Sequence, residues 1–188
     1  MMAPVNALCA TEGGAKYFEQ WMKNFQKSGK LESEGNFSDF EKIAGNLYTI
    51  KDEGWKIGKM GRSVDFFDVL GLTVTGTTLP FKLSSESKVL DFWADLSSRL
   101  YNKEGAVIYS DNHYRAVVGT YIDESTKQRG LIIRDSSGAK EVRISLDDLR
   151  KKTTKTDQLN VTYFSRPKQP PQAQALEQSL RKNARKNL

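Results

Sequence analysis

Apolar residues recur at helical spacing in two long segments of the chain. In residues 11–27, and again in residues 84–101, apolar positions follow one another at intervals of three and four, the spacing of one buried helix face. Both segments are therefore predicted to be helices, the second with Ser84 or Ser85 as its N-cap. The apolar positions are Ala15, Phe18, Met22 and Phe25 in the first helix, and Val89, Phe92, Trp93, Leu96 and Leu100 in the second.

Short runs of β-branched, aromatic and aliphatic residues dominate the second half of the chain. Residues 113–122 and 131–135 are two such runs, and the polar segment 123–130 between them predicts a β-hairpin. Helices early and strands late predict an α+β fold, in which an N-terminal helix that carries the only cysteine packs on a small antiparallel sheet. The remaining predicted elements are helices at 37–43, 63–70 and 145–150, and strands at 71–75, 105–109, 142–144 and 159–164.

The hairpin carries two residues suited to acid–base chemistry. The only histidine, His113, opens its first strand, and Asp135 ends its second strand. Because the start of one antiparallel strand lies beside the end of its partner, the two side chains are expected to meet at one end of the sheet. A carboxylate that accepts a hydrogen bond from one imidazole nitrogen leaves the other nitrogen free to act as a base. The pair is a candidate catalytic dyad that lacks a nucleophile.

The only cysteine, Cys9, is the candidate nucleophile. It stands just before the predicted helix 11–27, and a thiol at a helix N-terminus loses its proton more readily because the helix dipole favours the thiolate. Taken singly, a lone cysteine is more often a small buried side chain, and a lone histidine or an aspartate before a turn is more often structural. The order Cys9, His113, Asp135, with each residue at the end of an element, favours a catalytic triad.

Several segments resemble parts of the papain-like cysteine peptidases. The closest resemblance is to the compact bacterial members, which include the double-glycine leader peptidase domains of peptide exporters and secreted effector or toxin proteases. The pattern extends over roughly residues 5–165, without a long identical motif. The segments that carry it are Cys9 before a helix, residues 105–109 before the histidine, 113–119 and 132–135 in the hairpin, and 142–149 as the strand and short helix that close such domains.

The resemblance implies roles for individual residues. Cys9 would be the nucleophile, His113 the proton carrier and Asp135 the residue that orients the imidazole. Members of the family usually have a glutamine before the cysteine that helps hold the oxyanion. No glutamine precedes Cys9, and Asn6 is the nearest amide, so the oxyanion role passes to it. Residues 10–14 also depart from the Trp or Gly-Pro that commonly follows the cysteine.

The implied activity is cysteine-dependent hydrolysis of an amide bond in a protein or peptide, as in a bacterial secreted effector or antibacterial toxin. The same triad also serves deamidation, transglutamination and hydrolysis of cell-wall amides, so the reaction class is better defined than the substrate. A cognate inhibitor or immunity protein is an expected partner. The rival interpretation is a non-catalytic interaction module that uses a papain-like scaffold and a basic tail.

Composition divides the 188-residue chain into a body, residues 1–165, and a tail, residues 166–188, that begins with a proline-containing linker. Six basic residues and one acid give the tail a charge of +5, and the whole chain carries +6, which leaves +1 for the body. The basic charge therefore belongs to the tail, which is expected to be a solvated helix or disordered segment, and nucleic-acid contact through it is not favoured. The six basic residues are Arg166, Lys168, Arg181, Lys182, Arg185 and Lys186.

Several classes of protein are not indicated by the sequence. One cysteine rules out an internal disulfide, and one cysteine with one histidine argues against a metal site; no cofactor is expected. We find no signal-peptide pattern and no apolar run of membrane-spanning length. The thiol is expected to act in a reducing cytosol, including that of a target cell after secretion.

Overall fold

The computed structural model describes residues 2–27, 67, 70–78, 82–110, 113–135, 140–155 and 159–172. Over these residues the protein has an α+β fold with four helices and a six-stranded antiparallel sheet, which confirms the predicted fold class. In chain order the elements are α1 (Met2–Ala10), α2 (Gly14–Lys27), β1 (Thr73–Thr77), α3 (Glu86–Tyr101), β2 (Gly105–Ser110), β3 (His113–Ile122), β4 (Arg129–Asp135), β5 (Glu141–Ser145), α4 (Leu146–Lys155) and β6 (Asn160–Ser165).

The sheet has the strand order β1-β6-β2-β3-β4-β5. Strands β2, β3, β4 and β5 therefore form a meander, and β6 returns to pair antiparallel with β2. The predicted hairpin is confirmed as β3 and β4, in which Arg115 lies opposite Asp135. The register shifts between Val117 and Gly119, where β3 has a bulge. Asp123 stabilises the loop after β3, because its carboxylate accepts hydrogen bonds from the backbone N–H groups of Ser125 and Thr126.

The chain divides into two compact units. One unit consists of residues 2–15 and 74–166, and it contains α1, α3, α4 and most of the sheet. The other consists mainly of residues 16–73 and 167–188, of which the structure describes a part. In that part the hydroxyl of Tyr17 donates to the carbonyl of Leu70 at 2.9 Å. The side-chain amide of Asn24 likewise donates to the carbonyl of Pro171, also at 2.9 Å.

The N-terminal helix was wrongly placed by the sequence pattern. Residues 11–27 were expected to form one helix, but the structure has α1 before this segment and a turn at residues 11–13, so that α2 begins only at Gly14. The short helix α1 lacks an amphipathic stripe because it is buried on nearly all sides. Its sequence therefore does not show the alternation of apolar and polar positions that predicts a helix. Its buried residues are Ala3, Pro4, Val5, Asn6, Ala7 and Leu8.

The later elements agree more closely with the sequence. Ser85 caps α3 by accepting a hydrogen bond from the backbone N–H of Lys88, and Ser145 caps α4 by accepting from that of Asp148. Strand β1 begins two residues later than predicted, at Thr73. The predicted helix at 37–43, most of that at 63–70 and the tail beyond residue 172 lie outside the described residues.

One core is formed where α3 and α4 cover a face of the sheet. Side chains that lie directly opposite one another on paired strands point to the same face, so the paired residues Ala106, Val117 and Ile133 define this face. The buried members of this core are Leu83, Val89, Phe92, Leu96, Ala106, Ile108, Val117, Leu131, Ile133, Leu146, Leu149, Leu159, Val161 and Tyr163.

Candidate functional site

The structure brings His113 and Asp135 together, as the hairpin predicts. His113 Nε2 lies 3.0 Å from Asp135 Oδ1, and each side chain is 37% exposed. The pair lies at the end of the sheet where β2 leads into β3 and β4 ends. A half-exposed imidazole held by a carboxylate is a geometry that supports proton transfer to a bound molecule.

Two further polar residues adjoin this pair. Arg115, two positions after His113 and so on the same face of β3, places its Nε 3.7 Å from Asp135 Oδ2. Its Nη1 donates to the carbonyl and the hydroxyl of Ser110, at 3.3 and 3.2 Å. Asp135 is therefore shared between an imidazole and a guanidinium. His113 and Arg115 are two residues apart in β3, so strand alternation predicts that both lie on the same face. The sequence analysis did not use this signal, and it missed Arg115.

Asn6, the residue assigned to the oxyanion by resemblance, is buried in α1 and makes a structural contact. Its side-chain amide donates to the backbone carbonyl of Asp135 at 3.2 Å. The bond fastens α1 to the end of β4, at the level of the His113–Asp135 pair. The turn of α1 before Asn6 contains Ala3, Pro4 and Val5, which carry no nucleophilic group.

The sequence predicted Cys9 at the N-terminus of a helix, but in the structure it lies near the C-terminus of α1. It is the penultimate residue of the helix, so the negative end of the dipole is the one near its sulfur. The helix ends there because Leu8 O accepts from both the N–H and the hydroxyl of Thr11. Burial raises the pKa of the Cys9 thiol to about 11, although the positive charge of Arg134 acts to lower it. The expected activation by a helix N-terminus is therefore wrong.

Cys9 and the His113–Asp135 pair also belong to different faces of the sheet. Adjacent residues of a strand point to opposite faces, so Arg134, the charged neighbour of Cys9, faces away from the Asp135 carboxylate. Helix α1 contacts β2, β3 and β4, and its side chains do not belong to the core under α3 and α4, which places it on the Arg134 face. The structure joins two members of the predicted triad and separates the third.

Comparison with known proteins does not assign the chain to a family. No protein-family model matches the chain, and neither a curated protein nor a solved structure is significantly similar to it. Among the described residues, no helix is both long and apolar enough to cross a membrane.

Proposed function

We propose that the chain is a non-catalytic interaction module that binds a protein or peptide on a papain-like α+β scaffold. The observation that carries the proposal is the state of Cys9, a thiol with a pKa raised by burial, at the C-terminal end of a helix. A cysteine nucleophile needs the thiolate near neutral pH, which positive charge or a helix N-terminus normally supplies. Here the positive charge of Arg134 has a smaller effect than burial, and the helix end near Cys9 is the C-terminus. Without an activated thiol, the His113–Asp135 pair is left as a polar surface site.

The reactivity of Cys9 towards iodoacetamide tests this proposal. At pH 7.5 we expect the folded protein to be alkylated at least about tenfold more slowly than the same chain in 8 M urea, because thiolate is scarce at a pKa near 11. The alkylation rate of the folded protein should rise with pH up to about 11. The His113→Ala variant should show the same rate at each pH. Rapid alkylation below pH 8 that is lost in His113→Ala would contradict the proposal.

A cysteine-dependent hydrolase is the second candidate, favoured by the 3.0 Å contact between His113 Nε2 and Asp135 Oδ1. This mechanism requires Cys9 and His113, which the structure holds on different faces of the sheet, to come together. The sulfur of Cys9 then forms a thioester with the amide carbonyl carbon, and His113 passes the thiol proton to the leaving amine. Water then hydrolyses the thioester and restores the thiol. Deamidation, transglutamination and cell-wall amide hydrolysis use the same first step.

The hydrolase candidate makes its own prediction. Cleavage of unfolded casein or of a fluorogenic peptide library should be abolished in Cys9→Ala and in His113→Ala. It should be strongly reduced but not abolished in Asp135→Ala, because Asp135 only orients the imidazole. Circular dichroism of each variant controls for folding. Equal turnover by wild type and Cys9→Ala would exclude a thiol mechanism.

A further inference from the structure

Strand β5 forms one edge of the six-stranded sheet. One side of its backbone pairs with β4 in an unbroken register from Glu141 to Ser145, and its other side pairs with no strand in the part of the chain that the structure describes. The outer side of an edge strand displays backbone N–H and C=O groups that can pair with a further strand. The edge of β5 is therefore a candidate interaction surface.

An exposed apolar side chain marks this edge. Val142 of β5 is 46% exposed, although it lies opposite Ile133, which is buried in the core under α3 and α4. Opposite residues of paired strands point to the same face, so Val142 belongs to the core face of the sheet. A further strand beside β5 would cover the valine and extend the core across the edge.

Two charged side chains flank Val142 on the other face of β5. Glu141 Oε1 accepts from Arg134 Nη2 at 2.6 Å, and its second carboxylate oxygen can accept a further hydrogen bond. The guanidinium of Arg143 lies over the ring of Tyr121, 5.2 Å from the ring centroid. This stacking occupies the plane of the guanidinium and leaves its N–H groups at the edge able to donate. Each of the two charged groups can therefore bind one more partner beside β5.

The order Glu141, Val142, Arg143 is complementary to itself in one antiparallel register. With Val142 opposite Val142 of a second copy, each Glu141 lies opposite the Arg143 of the other copy. Opposite charges in directly facing positions are favourable, and like charges there are unfavourable. The neighbouring registers, centred on Glu141 or on Arg143, place two like charges opposite each other. Charge complementarity thus selects the register centred on Val142.

We propose that the chain forms a symmetric dimer in which the β5 strands of two copies pair antiparallel about Val142. The two sheets join into one continuous sheet, and two ion pairs between Glu141 and Arg143 flank the central pair of valines. Each copy uses the same strand, so the contact leaves no β5 edge free and closes at two copies. The inference goes beyond the proposed function and does not depend on the state of Cys9.

Sedimentation velocity of the full chain over a series of concentrations measures the dimer. We expect a dissociation constant of about 100 µM, because one pair of five-residue strands buries less surface than the interface of a stable dimer. The backbone amide NMR signals of β5 should shift with protein concentration. Those of β1, the strand at the other edge of the sheet, should not shift and serve as the internal control.

Charge reversal on β5 tests the register. Glu141→Arg places two arginines opposite each other, and Arg143→Glu places two glutamates opposite each other, so each variant alone should raise the dissociation constant at least about tenfold. In an equimolar mixture of the two variants, the mixed dimer again has opposite charges in both facing positions. Its dissociation constant should lie within about fivefold of the wild-type value. A folding defect in either variant could not produce this recovery.

Two controls separate the β5 edge from general effects of charge and polarity. Lys88→Glu makes the same change of charge as Arg143→Glu at an exposed position of α3, and it should leave the dissociation constant unchanged. Val142→Lys should abolish dimerisation, because two ammonium groups would meet at the symmetry axis. Ile122→Lys changes an apolar residue that is 50% exposed but lies in β3, and it should leave dimerisation intact. Circular dichroism confirms the folding of each variant.

Three outcomes would overturn the dimer. These are a chain that stays monomeric at about 1 mM, ten times the expected dissociation constant, dimerisation that both charge reversals leave unchanged, and a mixture that shows no recovery. A synthetic peptide of residues 140–145 represents the other occupant. A monomeric chain whose β5 amide signals shift on addition of this peptide would assign the edge to an extended peptide instead of a second copy.

Iodoacetamide reactivity reports on the proposed function independently. An inert Cys9 in a chain that stays monomeric would remove the dimer and leave the module. A reactive, His113-dependent Cys9 in a chain that dimerises through β5 would remove the module and leave the dimer.

Discussion

Substituting Phe164 with alanine is expected to lower the free energy of unfolding by about 3–5 kcal/mol, as for other fully buried aromatic residues. Phe164 is 1% exposed in β6 and lies opposite Gly105 of β2. Its ring occupies the space that a side chain at Gly105 would need, so that a methyl group there would overlap the ring. The ring therefore fills the gap that the glycine leaves, and alanine would leave a cavity. Urea unfolding monitored by far-UV circular dichroism measures the loss.

Two variants test whether this contact is the cause. Gly105→Ala should be destabilising by about 1–3 kcal/mol through overpacking. In the double variant Gly105→Ala with Phe164→Leu, the two effects should fall short of additivity, because the smaller side chain makes room for the methyl group. Tyr101→Ala, at an aromatic that is 87% exposed, should change stability by less than about 0.5 kcal/mol. Full additivity in the double variant would contradict the packing explanation.

Replacing Asn6 with leucine should cost about 1–3 kcal/mol, because the Asp135 carbonyl would lose the amide that donates to it beside a buried helix. The substitution conserves much of the side-chain volume, so the lost hydrogen bond dominates the effect. Because this bond fastens α1 to β4, we also expect faster alkylation of Cys9 at pH 7.5 as α1 loosens. Urea unfolding and iodoacetamide kinetics on the same sample measure both consequences.

Lys23→Leu is the control for Asn6→Leu. Lys23 lies on the exposed side of α2, and its ammonium group donates to the carboxylate of Glu19 one turn earlier at 2.9 Å. Loss of an exposed intrahelical ion pair should change stability by no more than about 0.5 kcal/mol and leave Cys9 reactivity unchanged. An equal loss of stability in the two variants would show that the Asn6 bond is not a fastening point for α1.

The direction of α1 decides how the site is interpreted. The helix runs from the end of the sheet where Asn6 donates to the Asp135 carbonyl towards a cavity of about 610 Å³ that Ala10 lines. A thiol early in the helix would be favoured as thiolate by the dipole. Cys9 is late in the helix, where the dipole opposes ionisation.

Local sequence signals determined much of the sheet and the later helices. The hairpin of β3 and β4, the contact between His113 and Asp135, and the caps at Ser85 and Ser145 all follow from interactions over short distances along the chain. Strand alternation, turn residues and capping hydroxyls are local physical causes, so they are readable without a structure.

Only the tertiary structure decided the position of Cys9. Because α1 is buried on nearly all sides, it has no polar face and leaves no periodic signal. The helix start was therefore placed after Cys9 instead of at Met2, so the predicted direction of the helix dipole at the thiol was the reverse of the observed one. The cavity was equally invisible, because it brings together the ends of α1 and α3, which are distant along the chain. Sequence patterns specify the elements, whereas helix direction and the face of the sheet that each helix covers depend on contacts between distant residues.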